Sequence, residues 1–141
     1  MKLKAIICIL IAVFNFSCAV QPKQEEQASS AIDMHTSEIA LDWMGTYTGT
    51  IPCADCEGIE IHISLATDKT FTLHMNYLGK SADVFEYSGT FRWNAAGNTI
   101  IIPIVDTNQQ YFVGENYLIY LDQDGERISG ELADEYFLRK Q

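Results

Sequence analysis

The run Pro52-Cys53-Ala54-Asp55-Cys56-Glu57-Gly58 sets two thiols side by side with two residues between them. Sulfurs at that spacing can exchange disulfides, grip a soft metal ion, or close on each other. Exchange catalysis needs one thiol with a depressed pKa, usually beside a helix N-terminus or cations. Here Asp55 and Glu57 surround the sulfurs with negative charge, which disfavours thiolate, and no βαβ pattern supplies a helix. A closed structural zinc site wants four ligands, and no second Cys-x-x-Cys or His-x-His accompanies this one. A soft ion such as Cu(I) needs fewer ligands and prefers thiolates, with Met44 or Met75 as thioether helpers. A local disulfide that stiffens a tight loop is the expected resting state. Disulfide and copper-thiolate exclude each other at any instant, so both readings can describe one redox-responsive loop.

Cysteine arithmetic leaves Cys53 and Cys56 only each other as partners. Of the four cysteines, Cys8 lies in an apolar leader and Cys18 at its end. Met1-Lys2-Leu3-Lys4 is a basic n-region, residues 5–16 are an apolar h-region, and Ser17-Cys18 follows, which is the order of a signal peptide. The apolar run falls short of the roughly 20 residues a spanning helix needs. Ser17-Cys18 is similar to a bacterial lipoprotein box, which makes Cys18 the expected lipidated N-terminus and the lipid the expected contact with the membrane. Residues 1–17 are thus read as leader, 18–40 as lipidated cysteine plus flexible polar tether, and 41–141 as the folded domain. Export implies an oxidising compartment, where a thiol pair tends to be found as a disulfide. Without residues 1–17 the chain keeps 7 basic against 19 acidic side chains, a formal charge of −12. That charge repels phosphate backbones and argues against nucleic acid as a partner.

The elements that must position the cysteine loop read as short strands. Gly45 to Ile51 is rich in β-branched and aromatic residues, and Ile59-Glu60-Ile61-His62-Ile63-Ser64-Leu65 and Phe71-Thr72-Leu73-His74-Met75-Asn76-Tyr77 alternate apolar with polar. Phe85 to Trp93 keeps period two, and Ile100-Ile101-Ile102 reads as buried on both faces. Tyr111-Phe112-Val113 and residues 117–121 flank a hairpin turn, Ile128 to Leu132 reads as another short strand, and Tyr136-Phe137-Leu138 closes the sheet. No segment shows a sustained helical stripe. The pattern predicts an all-β fold, a small antiparallel meander β-barrel of lipocalin-like kind, which removes exposed sheet edges.

One register follows from burial. Pairing Leu65 with Phe71, Ile63 with Leu73 and Ile61 with Met75 gathers the apolar partners on one face, and a one-residue slip would mix the faces. The same register sets His62 opposite His74 on the other face with Cβ atoms about 5 Å apart. A cross-strand histidine pair can be half of a metal site, which makes His62 and His74 secondary metal candidates; two surface histidines meeting by accident is the plainer reading.

There is no nucleophile elbow, no phosphate-cradling glycine loop and no His-carboxylate constellation at telling spacing, so the chain reads as non-enzymatic, with no catalytic residues. Gly45-Thr46-Tyr47-Thr48-Gly49-Thr50-Ile51-Pro52-Cys53-Ala54-Asp55-Cys56-Glu57-Gly58-Ile59, behind a lipoprotein leader, resembles the N-terminal domain of the NlpE family, envelope lipoproteins linked to copper resistance. Cys53 and Cys56 match the family's Cys-x-x-Cys motif. The resemblance implies a lipocalin-like barrel, an outer-membrane anchor, copper as the one cofactor, and a role in copper or envelope stress. Family members that signal surface adhesion can carry a second, C-terminal domain; these 141 residues are read as holding one. Two rival readings stand beside it. One is a carrier of a small hydrophobic ligand at the barrel mouth, whose cavity Trp43, Tyr47, Tyr87, Phe91 and Trp93 could line, although in a barrel of this size such aromatics more often just fill the core. The other is a module that docks an envelope protein through a sheet edge.

Overall fold

The computed structural model describes residues 35–80 and 83–141. Strict alternation becomes strand wherever one face can be buried. The strands are β1 (Gly45–Ile51), β2 (Gly58–Leu65), β3 (Thr70–Leu78), β4 (Val84–Thr90), β5 (Arg92–Trp93), β6 (Thr99–Ile104), β7 (Thr107–Gly114), β8 (Tyr117–Tyr120) and β9 (Phe137–Lys140). They form a single antiparallel sheet in the order β4-β3-β2-β1-β9-β8-β7-β6-β5. β4 and β5, at opposite ends of that order, are joined through Phe91 alone, whose amide donates to the Lys69 carbonyl at 2.9 Å. They are in effect one bent strand that pairs with β3 before the bend and β6 after it. The sheet therefore curls into a nearly closed up-and-down barrel, sealed on the other side where β9 returns to β1. There the backbones approach so closely that a Cβ on Gly49 would stand 2.6 Å from the Phe137 carbonyl oxygen, which reserves the position for glycine.

The β2–β3 hairpin has the register its hydrophobic pattern requires. Leu65 faces Phe71, Ile63 faces Leu73, Ile61 faces Met75, and His62 faces His74. Lys69, at φ 65°, completes the turn. The inward residues are buried: Ile61, Ile63 and Leu73 are fully so. They meet Tyr47 from β1, Ile100 and Ile102 from β6, Tyr111 and Val113 from β7, Leu118 from β8 and Leu138 from β9.

The tyrosine tips inside this core find partners, whereas the buried Trp93 indole N–H has none among the described residues. Tyr47 donates its hydroxyl to the Trp43 carbonyl at 2.8 Å, and Tyr111 donates to Gln109 Oε1 at 2.5 Å. Gln109 Nε2 in turn lies 3.3 Å from Met75 Sδ. Met75 is thus built into the core, away from the cysteines it was expected to help. Burial, with Asp42 nearby, pushes the Tyr47 hydroxyl up to about 12, and burial raises Tyr111 as well.

Three expectations are corrected in detail. Ile101 is only half-buried between the fully buried Ile100 and Ile102, so β6 has one inward face. Residues 128–132 are not a strand: Arg127 makes a lone bridge to Leu121, Gly130 turns the chain at φ 109°, and Leu132 is left half-exposed. A 3-10 turn, Ala133–Tyr136, then delivers the chain to β9. The aromatics behave as fillers of a small barrel rather than as the lining of a mouth: Trp43, Tyr47 and Phe91 are buried in the core, and Tyr87 and Trp93 pack partly buried against it. Finally, the ordered domain reaches back into the stretch read as tether. A helical turn, α1 (Ser37–Ala40), is fastened by Ser37 Oγ donating to the Val113 carbonyl at 2.8 Å and by a Lys69–Glu38 ion pair at 2.8 Å. Lys69 belongs to the β2–β3 turn, so α1 sits at the end of the barrel away from the cysteine loop.

Candidate functional site

The loop between β1 and β2 opens after the pair Ile51↔Ile59, the last rung of that ladder. Ile51 and Gly58 are buried, Cys53 and Cys56 are half-buried, and Ala54, Asp55 and Glu57 are exposed. Within this short span Cys53 and Cys56 form a disulfide, with Cα atoms 5.3 Å apart. Two contacts hold the loop to the neighbouring hairpin end. The Glu57 amide donates to the Leu78 carbonyl at 3.1 Å, and Lys80 Nζ pairs with Asp55 Oδ2. Gly79, at φ 77°, makes the tight exit from β3 that carries Lys80 to that position, and a Cβ there would crowd Glu57 at 3.0 Å.

This neighbourhood decides between the chemistries of a Cys-x-x-Cys pair. The nearest charged atom to Cys53 Sγ in the loop is a carboxylate oxygen, Asp55 Oδ1 at 3.6 Å, while the Cys56 sulfur lies 3.3 Å from the Gly58 carbonyl oxygen. Both oppose thiolate rather than stabilise it. The loop cation, Lys80, is engaged by Asp55, and α1 is at the other end of the barrel. An exchange catalyst needs the reverse arrangement. For a metal, Cys53, Asp55 and Cys56 offer ligand atoms all within 4.8 Å of one another. That donor set fits a soft ion once the disulfide is reduced, since two thiolates then share one short loop with a carboxylate beside them. In the disulfide state the sulfurs have no thiolate to give.

The second candidate site lies on the outer face of the β2–β3–β4 wall. His62 and His74 are cross-strand partners, as the register requires, and both are half-exposed, at 49% and 42%. Glu60, two residues along the same strand face, brings Oε1 to 3.5 Å from His62 Nε2. Glu86, the β4 partner of His74, brings Oε2 to 4.0 Å from His74 Nδ1. These glutamates and Lys80 escaped the sequence reading. Period two would have found Glu60, whereas Glu86 needs the β3–β4 register and Lys80 the turn at Gly79. Cys18 lies outside the described residues.

Residues 47–131 match the NlpE N-terminal domain. The chain is 26% identical over 87 residues to lipoprotein NlpE of Escherichia coli K12, a match covering 61% of this chain and 37% of that protein, so it spans little more than a third of that relative's length. Among solved structures, a protein of Shewanella oneidensis described as a lipoprotein superposes with a TM-score of 0.68 at 44% identity, covering 76% of this chain and 96% of that one. The Cpx pathway activator NlpE of Escherichia coli superposes with a TM-score of 0.54 at 28% identity, covering 62% of this chain and 46% of that one.

Proposed function

This chain belongs to the NlpE family, and on that premise we propose that it is a non-enzymatic envelope lipoprotein, held to the outer membrane by lipid on Cys18, whose Cys53/Cys56 loop answers to copper and redox state. The observation that carries this reading is the loop: two sulfurs closed as a disulfide, half-buried, with an acidic side chain beside them and the neighbouring cation, Lys80, taken up by Asp55. Oxidised, the loop is inert. Reduced, Cys53 and Cys56 would hold a Cu(I) ion, whose thiolate bonds keep the sulfurs from closing again. The state of two side chains thus reports both the redox poise of the compartment and the presence of a soft metal.

Loop length gives the switch its reach. The disulfide joins residues at a sequence separation of 3, and closing so short a loop stabilises a fold by about 2 kcal/mol or less. The barrel core, not the disulfide, holds the domain, so the bond can open without unfolding it. The lipid anchor supplies the location, since a multiply acylated cysteine binds membrane stably without a spanning segment.

The test is complementation in a bacterial strain lacking this protein and sensitised to copper. The wild-type chain is expected to restore growth in copper, and Cys53→Ser/Cys56→Ser to fail at equal protein level. Full restoration by the double variant would overturn the loop's role. Acyl modification of Cys18, read by mass spectrometry of the mature protein, tests the anchor separately.

A further inference from the structure

We propose that the outer face of the β2–β3–β4 wall is a second metal site, distinct from the cysteine loop, that takes one borderline divalent cation, Zn(II) or Cu(II), through Glu60, His62 and His74, with Glu86 orienting His74. Sheet register already sets the two rings opposite each other, His62 on β2 and His74 on β3. One pair of ligands is already at working distance, and the half-exposed His74 ring turns to join it, since among the described residues only Cys53, Asp55 and Cys56 gather three donor atoms within 4.8 Å. Two donor atoms each about 2.0–2.1 Å from a tetrahedral ion lie about 3.3 Å apart, and Glu60 Oε1 stands 3.5 Å from His62 Nε2.

The groups around these donors act as a supporting shell does. Asn76 Nδ2 reaches Glu60 Oε2 at 3.5 Å, which leaves Oε1 on the His62 side. Glu86 Oε2 faces Nδ1 of His74 at 4.0 Å, which leaves that ring's Nε2 for the ion. Glu60, His62, His74 and Asn76, with Val84, line one open groove of about 370 Å³. Among the described residues neither Glu60, which lines the groove, nor Glu86, behind His74, is ion-paired with a lysine or arginine, so a bound cation would neutralise carboxylate charge that no cationic side chain offsets.

Donor chemistry separates this site from the loop. Imidazole and carboxylate suit Zn(II) and Cu(II), whereas thiolates suit Cu(I). The face needs no reduction to be competent, and its three protein ligands leave a position for water. It does not rest on the copper reading of the loop.

The test titrates the full-length chain, with its disulfide intact so that the sulfurs do not compete, separately with Zn(II) and Cu(II). The expected result is one ion per chain for at least one of the two, with electron paramagnetic resonance of the Cu(II) form showing nitrogen ligation. His62→Gln and His74→Gln should each weaken binding at least tenfold, Glu86→Gln by about tenfold, and His35→Gln not at all. If a glutamine variant fails to fold, His62→Thr and His74→Thr, which keep strand propensity, take its place. Loss of binding in Cys53→Ser/Cys56→Ser, undiminished binding in the His62/His74 variants, or no uptake of either ion at micromolar concentration would overturn the site.

Discussion

The cysteine loop and the histidine face gather side chains with ligand chemistry by opposite means. In the loop the backbone is irregular, and the donors are brought together by a covalent disulfide, a hydrogen bond from the Glu57 amide to the Leu78 carbonyl and the Lys80–Asp55 pair. On the face the backbone is regular, and nothing but the pleat and register of three strands sets Glu60, His62, His74 and Glu86 in a patch. The proposed switch in the loop depends on a bond that can open. The backbone of the face has no such freedom, because its geometry is that of the barrel wall. A chain can therefore place a switch and a standing site within one hairpin's length of each other, provided the switch contributes little to the fold.

That contrast can be broken most forcefully through the core. Leu73, fully buried on β3 beside His74 and opposite Ile63 of β2, should cost about 2–5 kcal/mol when replaced by alanine, read as a fall in the urea midpoint. The same variant should lose the histidine face with the fold and keep its Cys53–Cys56 disulfide in the unfolded chain. Alkaline pH asks whether both regions share one cooperative core. Unfolded tyrosine ionises near pH 10, whereas folded Tyr47 is held up to about 12. Its folded value being the higher, the neutral buried hydroxyl contributes stability fully below about pH 10 and loses it as pH rises towards 12. The share of tyrosinate absorbance that comes from the buried tyrosines should therefore rise together with loss of the β-sheet signal, under oxidising and reducing conditions alike.

Cys53→Ser/Cys56→Ser sharpens the comparison at smaller scale, with an expected loss of about 2 kcal/mol or less and retention of the β-sheet spectrum. A larger loss would make the disulfide a structural staple and deny the loop its freedom to switch. Lys80→Ala should have the smallest effect. The exposed Lys80–Asp55 pair contributes within about 1 kcal/mol, so the midpoint should barely move. Alkylation of the loop sulfurs under mild reductant should nevertheless quicken as the loop loses a tie.

What was legible in the residues follows the same division. The hairpin register and the facing histidines could be read because period-two alternation admits one pairing that buries Ile61, Ile63, Leu65, Phe71, Leu73 and Met75 together. The cysteine pair was legible from arithmetic. The reading of residues 128–132 failed because β-branched content without a partner strand does not make a strand, and Gly130 turns the chain away. Helix formation at Ser37–Ala40 was invisible because a single turn has no periodicity to display. It is held by contacts with Val113 and Lys69, far off in sequence. Lys80 and Glu86 were missed for the same reason, since their partners are set by turns and by a second register.

The central claim is that one loop has two mutually exclusive states, and a Cu(I) titration of the same protein in both states tests it most directly. The full-length chain, oxidised or freshly reduced under anaerobic conditions, would be titrated against a chromophoric Cu(I) chelator. The account predicts uptake of one Cu(I) by the reduced protein and none by the oxidised protein. Equal uptake by the two forms, or none by either, would contradict it.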